Sequence, residues 1–449
     1  MAKTCMSRIT TQVSQRRHGL WRAFSALSCA VALAGLAACG GSSGSGSASP
    51  GSTLTFADVA PFTGVDAALG PIYLASCKAA THAINAAGGV LGHQVNCKSV
   101  DTRGDPADAV PAVRQLFATT SNLPLIIGVT SDEAASVVPL INANKTVVFG
   151  MTGQSEFDSV HFPYFYRLVA PDLAESYAMV AIAQQKGYKK VALAFGNDIG
   201  SQTFVAPAIS ALKKAGLQLV ANETLDLHAS TYRTEAFKIV EAHPEVILTE
   251  ALGPTAASFL SEVKQLNGGK MIPVIGTSAT VEPAWYASVK AALGASTLAA
   301  NYLADNTAVE TSGPAYEPFF QAMSAVKSEI GGGNFSTYLT APGAVHLYDG
   351  MNLAALAMTK ANSTNPSVYR PFIETIGNGT PGAQVVHSFA EGVAALKAGK
   401  AIRYIGPGGP TNFDSFHDST GIYQIDKFGP EGQVKVIGSL TPAQLRALG

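Results

Sequence analysis

Short polar residues follow several apolar runs in this sequence, and their types and positions could support ligand chemistry. Ser131 and Asp132 follow one apolar run, and Thr152 and Gly153 follow the next. If these runs are parallel strands, the residues lie at the carboxyl ends of the strands, where ligands bind and helix N-termini direct free amides. Ser131 and Asp132 also suit plain N-capping of a helix, and the two roles are compatible.

Later apolar runs are followed by a comparable set of candidates. Ile199, Glu250 and Ser278 each lie close behind such a run. Glu250 is the carboxylate of this set that could meet an ammonium group, although an ordinary surface or capping carboxylate fits the same position. Tyr348 lies near the start of a long predicted helix, 341–361, and could be either a ligand contact or a packing residue. We expect these residues to line a cleft.

Known catalytic motifs are absent from the predicted domain. Residues 53–449 contain no His-Glu-x-x-His, no Gly-x-Ser-x-Gly and no phosphate-binding loop ending in Gly-Lys-Ser/Thr. The histidines are scattered without the spacing of metal ligands. Lysine and arginine number 30 against 31 aspartates and glutamates, and no basic patch stands out, so we expect no nucleic-acid partner. We also expect no catalytic residue, metal site, cofactor or enzymatic activity.

The elements that position these residues alternate between strands and helices. Apolar runs such as 54–60, 125–128 and 190–195 are separated by helical patterns of ten or more residues, which is typical of parallel sheets in α/β proteins. The pattern runs to about residue 169 and then restarts. It predicts an α/β protein with two Rossmann-like lobes.

Residues 83–106 carry the most specific signal. They read Ala-Ile-Asn-Ala-Ala-Gly-Gly-Val-Leu-Gly, then a strand, then Asp-Thr-Arg-Gly-Asp-Pro. Gly88 and Gly89 end a helix because glycine adopts the left-handed conformation that caps free carbonyls. Asp105 before Pro106 is a good N-cap, with proline at the first helical position. This run resembles the first lobe of the type I periplasmic binding proteins, and more closely the leucine/isoleucine/valine-binding branch, the solute receptors of ABC importers.

The resemblance extends to about residue 438 and implies an architecture. The Pro-Phe-Thr-Gly turn at 61–64 and the glycine-rich element at 404–414 also match the family. Residues 297–302 would form a strand that returns to the first lobe, and three chain crossings near residues 169, 298 and 418 would form a three-strand hinge. The implied lobes are 53–169 plus 299–417, and 170–298 plus 418–449.

Several candidate residues match ligand-binding positions of the amino-acid binders. In those proteins a serine hydroxyl and a threonine hold the ligand carboxylate. Ser131 or Asp132 matches the serine, and Gly153 matches the threonine, with Thr152 adjacent. These four residues are therefore the expected contacts of the first lobe.

The second lobe departs from the family pattern. Ser278 occupies the position of the carboxylate that meets the ligand ammonium, and Ile199 occupies that of a stacking aromatic. Glu250, at a neighbouring strand end, could take over the ammonium. Otherwise the cleft could suit an aromatic or aliphatic acid, an amide or a short peptide fragment.

A leader precedes the predicted domain. Residues 1–38 contain a basic segment, an apolar run and small residues, as a secretory signal does. The Leu-Ala-Ala-Cys ending resembles a bacterial lipobox, in which Cys39 is lipidated. The alternative, a transmembrane anchor, needs about 20 apolar residues, more than this run provides. Residues 39–52, mostly glycine and serine, form a tether, so we expect an extracytoplasmic protein, in the periplasm or at the cell surface, with a lipid anchor to a membrane.

Cys77 and Cys97 are the cysteines that remain in the predicted fold. Outside the cytoplasm such a pair forms a disulfide, here between the first helix and the second strand. Two separate buried thiols are the alternative.

These features together predict a monomeric solute receptor. It would close on a small-molecule ligand and present it to ABC permease subunits in the cytoplasmic membrane. A sensor that feeds a signalling partner is the first alternative, because the same bilobed fold serves as a signalling input. A secreted enzyme, such as an amidase, is the second.

Overall fold

The computed structural model describes residues 51–64, 66–307, 309–330, 335–419 and 423–449. The predicted signal peptide, Cys39 and the tether up to residue 50 lie outside this part of the chain. Within it, no helix is both long enough and apolar enough to cross a lipid bilayer.

The strands of the described residues form two large sheets and one small one. In chain order they are β1 (Leu54–Ala60), β2 (Val95–Asp101), β3 (Leu125–Thr130), β4 (Val147–Met151), β5 (Phe165–Arg167), β6 (Lys190–Gly196), β7 (Gln218–Leu225), β8 (Val246–Glu250), β9 (Val274–Gly276), β10 (Tyr302–Thr307), β11 (Gln384–Val386), β12 (Ile402–Tyr404), β13 (Tyr423–Phe428) and β14 (Val434–Leu440).

Both large sheets are mainly parallel. The first has the order β2-β1-β3-β4-β5, with every pairing parallel. The second has the order β14-β13-β10-β9-β8-β6-β7, and only β13 and β14 run antiparallel to their neighbours. The small sheet pairs β11 with β12. The predicted α/β fold with parallel sheets is confirmed.

Helices connect the strands and cover the sheets. They are α1 (Gly70–Ala86), α2 (Pro106–Thr119), α3 (Ser131–Ala143), α4 (Asp172–Gln185), α5 (Ile199–Gln202), α6 (Val205–Ala215), α7 (Arg233–Glu241), α8 (Gly253–Leu266), α9 (Pro283–Leu293), α10 (Ala295–Asn301), α11 (Tyr316–Ala325), α12 (Phe335–Tyr338), α13 (Pro342–Ala361), α14 (Pro366–Tyr369), α15 (Pro371–Asn378), α16 (Phe389–Lys397) and α17 (Pro442–Arg446). Single 3-10 turns lie at Ser155–Phe157 and Ser278–Val281.

Each large sheet is buried on both faces, which explains the continuous apolar runs of its strands. In the first lobe, Phe56 faces the core under α1 and α13, whereas Ala57 and Val59 face the core under α2 and α3. The second sheet has one core toward α4 and α6 and another toward α7, α8 and α9. Each lobe therefore has three layers, and the carboxyl ends of its strands are left free to form a site.

The segment that carries the family resemblance builds one corner of the first lobe. The Asn85 side chain donates to the Val95 carbonyl and accepts from the Val95 amide, both at 2.8 Å, so it fixes the turn between α1 and β2. Gly89 has φ +75°, and a Cβ there would lie 2.1 Å from the His93 carbonyl oxygen. A disulfide joins Cys77 of α1 to Cys97 of β2, with the Cα atoms 5.8 Å apart.

The strand expected at 297–302 is wrong in position and in sheet. Residues up to Asn301 belong to α10, and the strand begins at Tyr302 and pairs in parallel with β9 of the second sheet. The physical reason is packing, because the Tyr302 ring contacts Trp285 and Phe428 in the second-lobe core. Residues 302–307 thus lie in the second lobe, and the chain leaves it after residue 307 rather than near 298.

Arg167, at the end of β5, organises the hinge. Its guanidinium is fully buried, bonds both carboxylate oxygens of Asp418 at 2.5 Å and reaches Asp158 at 2.6 Å. The backbone beside it is also paired, since the Arg167 amide donates to the His417 carbonyl and the Ser419 amide donates to the Arg167 carbonyl. The segments that approach two of the crossings are therefore held together.

Candidate functional site

A cleft of about 300 Å³ lies between the carboxyl ends of the two large sheets. The first lobe contributes residues that follow β1, β3 and β4, and the second contributes residues that follow β6, β8 and β9. Polar lining residues among them are Asp66, Ser131, Asp132, Asp198, Glu250 and Ser278. Helices add Tyr73, Glu175 and Trp285, the turn between α5 and α6 adds Phe204, and the turn before α9 adds Glu282. The cleft therefore lies where ligands bind open parallel sheets.

The start of α3 is capped by Thr130 and Glu133, without the side chains of Ser131 and Asp132. Thr130 donates to the Glu133 carboxylate from its amide at 3.1 Å and from its hydroxyl at 2.6 Å. Ser131 and Asp132 are thus left for other contacts. The Ser131 hydroxyl donates to the Thr152 hydroxyl at 3.1 Å, and Asp132 accepts from the Gly200 amide of the second lobe at 3.2 Å.

Five of the eight residues predicted as ligand contacts line the cleft. They are Ser131, Asp132, Gly153, Glu250 and Ser278. At Gly153 there is no room for a side chain, since a Cβ would lie 2.0 Å from a carboxylate oxygen of Asp172.

The other three predicted residues lie away from the lining. Thr152 is fully buried behind Ser131. The Ile199 side chain is 51 % exposed at the start of α5, where its neighbours Gly200 and Ser201 face the cleft instead. Tyr348 is buried in the first-lobe core because α13 directs it toward Phe319, with the ring centroids 5.1 Å apart.

The carboxylate missing at position 278 is supplied from elsewhere. Glu175 of α4 accepts from the Ser278 hydroxyl at 2.8 Å and from its amide at 3.3 Å. Glu250 accepts from the hydroxyl of Thr277, the preceding residue. Two carboxyl groups therefore lie beside the turn that follows β9, where the family pattern predicts one.

Glu282 forms a second bridge between the lobes. One carboxylate oxygen accepts from the Gly343 amide at the start of α13, at 3.0 Å. The other oxygen has no hydrogen-bond partner in the described part of the chain, although the side chain is only 7 % exposed. Together with the bond from Gly200 to Asp132, this contact holds the two lobes against each other.

Burial dominates the electrostatics of the cleft. It raises the pKa of Glu175 and that of Glu282 to about 7. Burial raises the pKa of Asp66 to about 8, and the adjacent Asp132 carboxyl adds to this effect. Burial also raises the pKa of Glu250 well above its usual range. The cleft thus holds carboxyl groups that keep their protons more readily than exposed ones do.

Sequence reasoning missed Asp66, Glu175, Glu282 and the aromatic wall of Tyr73 and Trp285. Asp66 lies in the loop after β1, which the strand-end rule covers, so the sequence offered a signal for it. The others come from helices or from the turn before α9, and only the tertiary structure brings them to the strand ends. Among the described residues, no group of three or more histidine, cysteine or carboxyl side chains is arranged to hold a metal ion.

Three solved structures of similar fold each align with 86–89 % of this chain and with 95–100 % of their own chain. The substrate-binding protein LivJ of Streptococcus pneumoniae, in complex with isoleucine, has 17 % identity and a TM-score of 0.67, covering 87 % of this chain and 100 % of its own. A fatty acid ABC transporter substrate-binding protein of Thermomonospora curvata has 16 % identity and a TM-score of 0.69, covering 89 % and 95 %. A solute-binding protein of R. palustris in complex with benzoate has 14 % identity and a TM-score of 0.67, covering 86 % and 96 %.

No curated protein sequence matches the chain significantly. A family model described as periplasmic binding protein matches residues 53–420, which is most of the chain. The resemblance predicted from residues 83–106 is confirmed, and the relatives are solute-binding proteins rather than enzymes. This chain belongs to the periplasmic binding protein family and has the fold of type I solute-binding proteins of ABC transporters.

Proposed function

We propose that this protein is an extracytoplasmic lipoprotein that delivers a small polar metabolite, an amino acid or a related organic acid or amide, to the permease subunits of an ABC importer. The observation that carries the proposal is the cleft. It is of ligand size, it lies at the strand ends of both lobes, and hydrogen bonds cross it from the Gly200 amide to Asp132 and from the Gly343 amide to Glu282.

Binding and delivery would be coupled through lobe closure. A ligand stabilises the closed form only by as much as it binds that form better than the open one. Here Asp132 and Glu282 each contact the opposite lobe, so the residues that face the ligand also lie at the closure contacts. The closed form would be the one that the permease recognises, and the receptor would act as a monomer.

The lipid anchor is supported by the sequence. Cys39 follows a secretory signal at the position of a lipobox cysteine, and the glycine- and serine-rich tether after it would let the domain reach a membrane partner. We expect the exported protein to incorporate a labelled fatty acid, and the Cys39→Ala protein to lose both the label and its retention in the membrane fraction. Unlabelled wild-type protein would refute the anchor.

The binding function is tested by a thermal-shift screen of the purified exported protein. We expect one class of small metabolite to raise the melting temperature, because a ligand that binds only the folded state stabilises it. The hit should bind with one-to-one stoichiometry and be recovered unchanged after incubation. A screen of amino acids, organic acids, amides and amines without any hit would count against the proposal. Copurification with a signalling protein instead of permease subunits would favour the sensor alternative.

A further inference from the structure

We infer that the cleft binds an organic cation with more than one amino group, and that carboxyl groups of both lobes select it over amino acids and organic acids. This inference rests on the proposed solute-binding function but assigns the cleft a different class of small polar metabolite. The ionisable side chains that line the cleft are acidic. Seven aspartate and glutamate side chains line the cleft, and none of the described lining residues is lysine, arginine or histidine.

Four of the backbone amides that could hold an anionic ligand group already donate to carboxylates of the protein. Anions bind at helix N-termini because free amides point at them there. Four such amides around this cleft donate to side-chain carboxylates instead: Gly200 to Asp132 at 3.2 Å, Ser201 to Asp198 at 2.8 Å, Ser278 to Glu175 at 3.3 Å and Gly343 to Glu282 at 3.0 Å. At these four amides a ligand carboxylate would have to displace a carboxylate of the protein, and it would lie among the other acidic side chains of the cleft.

Glu282 points to a donor that is absent from the protein itself. Its side chain is more than nine-tenths buried and lines the cleft, and one oxygen has no partner among the described residues. A buried carboxylate oxygen is strongly unfavourable unless it accepts a hydrogen bond or is paired with a charge. An ammonium group has three donors and a positive charge, and it would satisfy this oxygen.

The carboxyl groups are distributed along the cleft, which favours a ligand with separated amino groups. Asp66 lies beside Asp132, at the start of α3. Glu175 and Glu250 lie together beside the turn after β9. Glu282 precedes α9 and makes its contact on a different element, the start of α13. A single ammonium group could meet one of these places, whereas a diamine or triamine could meet two or three.

The rest of the wall suits the carbon chain of such a ligand. Tyr73, Phe204 and Trp285 line the cleft and are each at most 5 % exposed. Trp285 is fixed in place because its indole N–H donates to the Ala251 carbonyl at 3.0 Å. Aromatic rings pack against methylene groups and also attract cations to their faces.

Isothermal titration of the purified exported protein at pH 8 tests the inference with defined probes. The probes are 1,4-diaminobutane, spermidine, n-butylamine, leucine, benzoate and calcium chloride. We expect one-to-one binding of the diamine or the triamine, with an affinity about tenfold or more above that of n-butylamine and of leucine. Benzoate and calcium should give no saturable binding.

Two variants locate the selecting groups. Glu282→Gln and Glu175→Gln keep the size of the side chain but remove its charge, and each should weaken binding of the polyamine about tenfold. Glu241→Gln is the matched control, because Glu241 is exposed at the end of α7, on an element that does not line the cleft. Circular dichroism spectra of all variants would verify that they fold. The titrations of the wild-type protein with the six probes test the inference even if a variant fails to fold.

The possible outcomes separate this inference from the function on which it rests. Tight one-to-one binding of leucine or benzoate, with no response to the amines, would overturn the cation assignment and leave the solute-binding function intact. Saturable binding of calcium alone would also overturn it, in favour of a metal site. If no small metabolite of any class binds, both proposals fail. Unchanged polyamine affinity in Glu282→Gln and Glu175→Gln would refute the selecting role of these carboxyl groups.

Discussion

Replacing Glu282 with glutamine should change how the stability of the unliganded protein depends on pH. Burial raises the pKa of this carboxyl from its ordinary 4.5 to about 7. At 1.36 kcal/mol per pH unit, the difference corresponds to about 3 kcal/mol. The folded protein holds the proton more tightly than the unfolded chain does. The stabilising contribution is therefore complete below pH 4.5 and is lost as the pH rises through 7.

Glutamine removes this dependence while keeping the contact with α13. Its side-chain carbonyl can still accept from the Gly343 amide, and it carries no charge at any pH. The Tyr73 hydroxyl of α1 lies near enough to interact with this carboxyl, and burial raises the pKa of Tyr73 well above the usual range, so it stays neutral in this window. We expect wild type and variant to have similar stability at pH 4.5, and the variant to be more stable by about 3 kcal/mol at pH 8.

Urea unfolding of the two proteins at pH 4.5 and at pH 8, without ligand, measures this difference. The Glu241→Gln protein is the control, and its free energy of unfolding should follow that of wild type at both pH values. A difference between wild type and Glu282→Gln that stays constant from pH 4.5 to pH 8 would refute the reasoning, because it would mean that the carboxyl titrates alike in the folded and unfolded states.

Three further substitutions test other parts of the structure. Replacing Cys77 and Cys97 with serine should lower the free energy of unfolding in urea by about 3 kcal/mol, since the bridge closes a loop of 20 residues; an unchanged value would speak against the disulfide. Arg167→Met should cost about 3–5 kcal/mol in the same assay because it leaves buried carboxylates uncompensated, whereas Arg114→Met on the exposed face of α2 should have almost no effect. Gly153→Ala should abolish ligand binding in titration calorimetry, since its Cβ would overlap a carboxylate of α4; retained affinity would show that α4 can shift.

Local signals account for much of what could be predicted from the sequence. The glycine pair 88–89 lies just after the end of α1 and the Asp105-Pro106 cap lies at the start of α2, as predicted. The strand at Tyr302 was misplaced because no local signal decides between the two sheets. That choice depends on aromatic packing against Trp285, which is distant from β10 until the chain folds.

The residues of the cleft also include some that the sequence predicts and some that it does not. Residues directly after a strand, such as Ser131 and Glu250, are predictable because the edge of a parallel sheet places them together. Glu175 and Glu282 are not predictable by that rule. Their roles depend on how α4 and the turn before α9 lie against the strand ends, which is set by contacts across the whole lobe.

The ion pair of Arg167 and Asp418 limits the ways in which the lobes can move. The backbone on either side of this pair is also hydrogen-bonded, so the two segments cannot slip lengthwise past each other without breaking buried polar contacts. Two of the crossings between the lobes therefore cannot shift independently of each other, and any bending there must move both segments together.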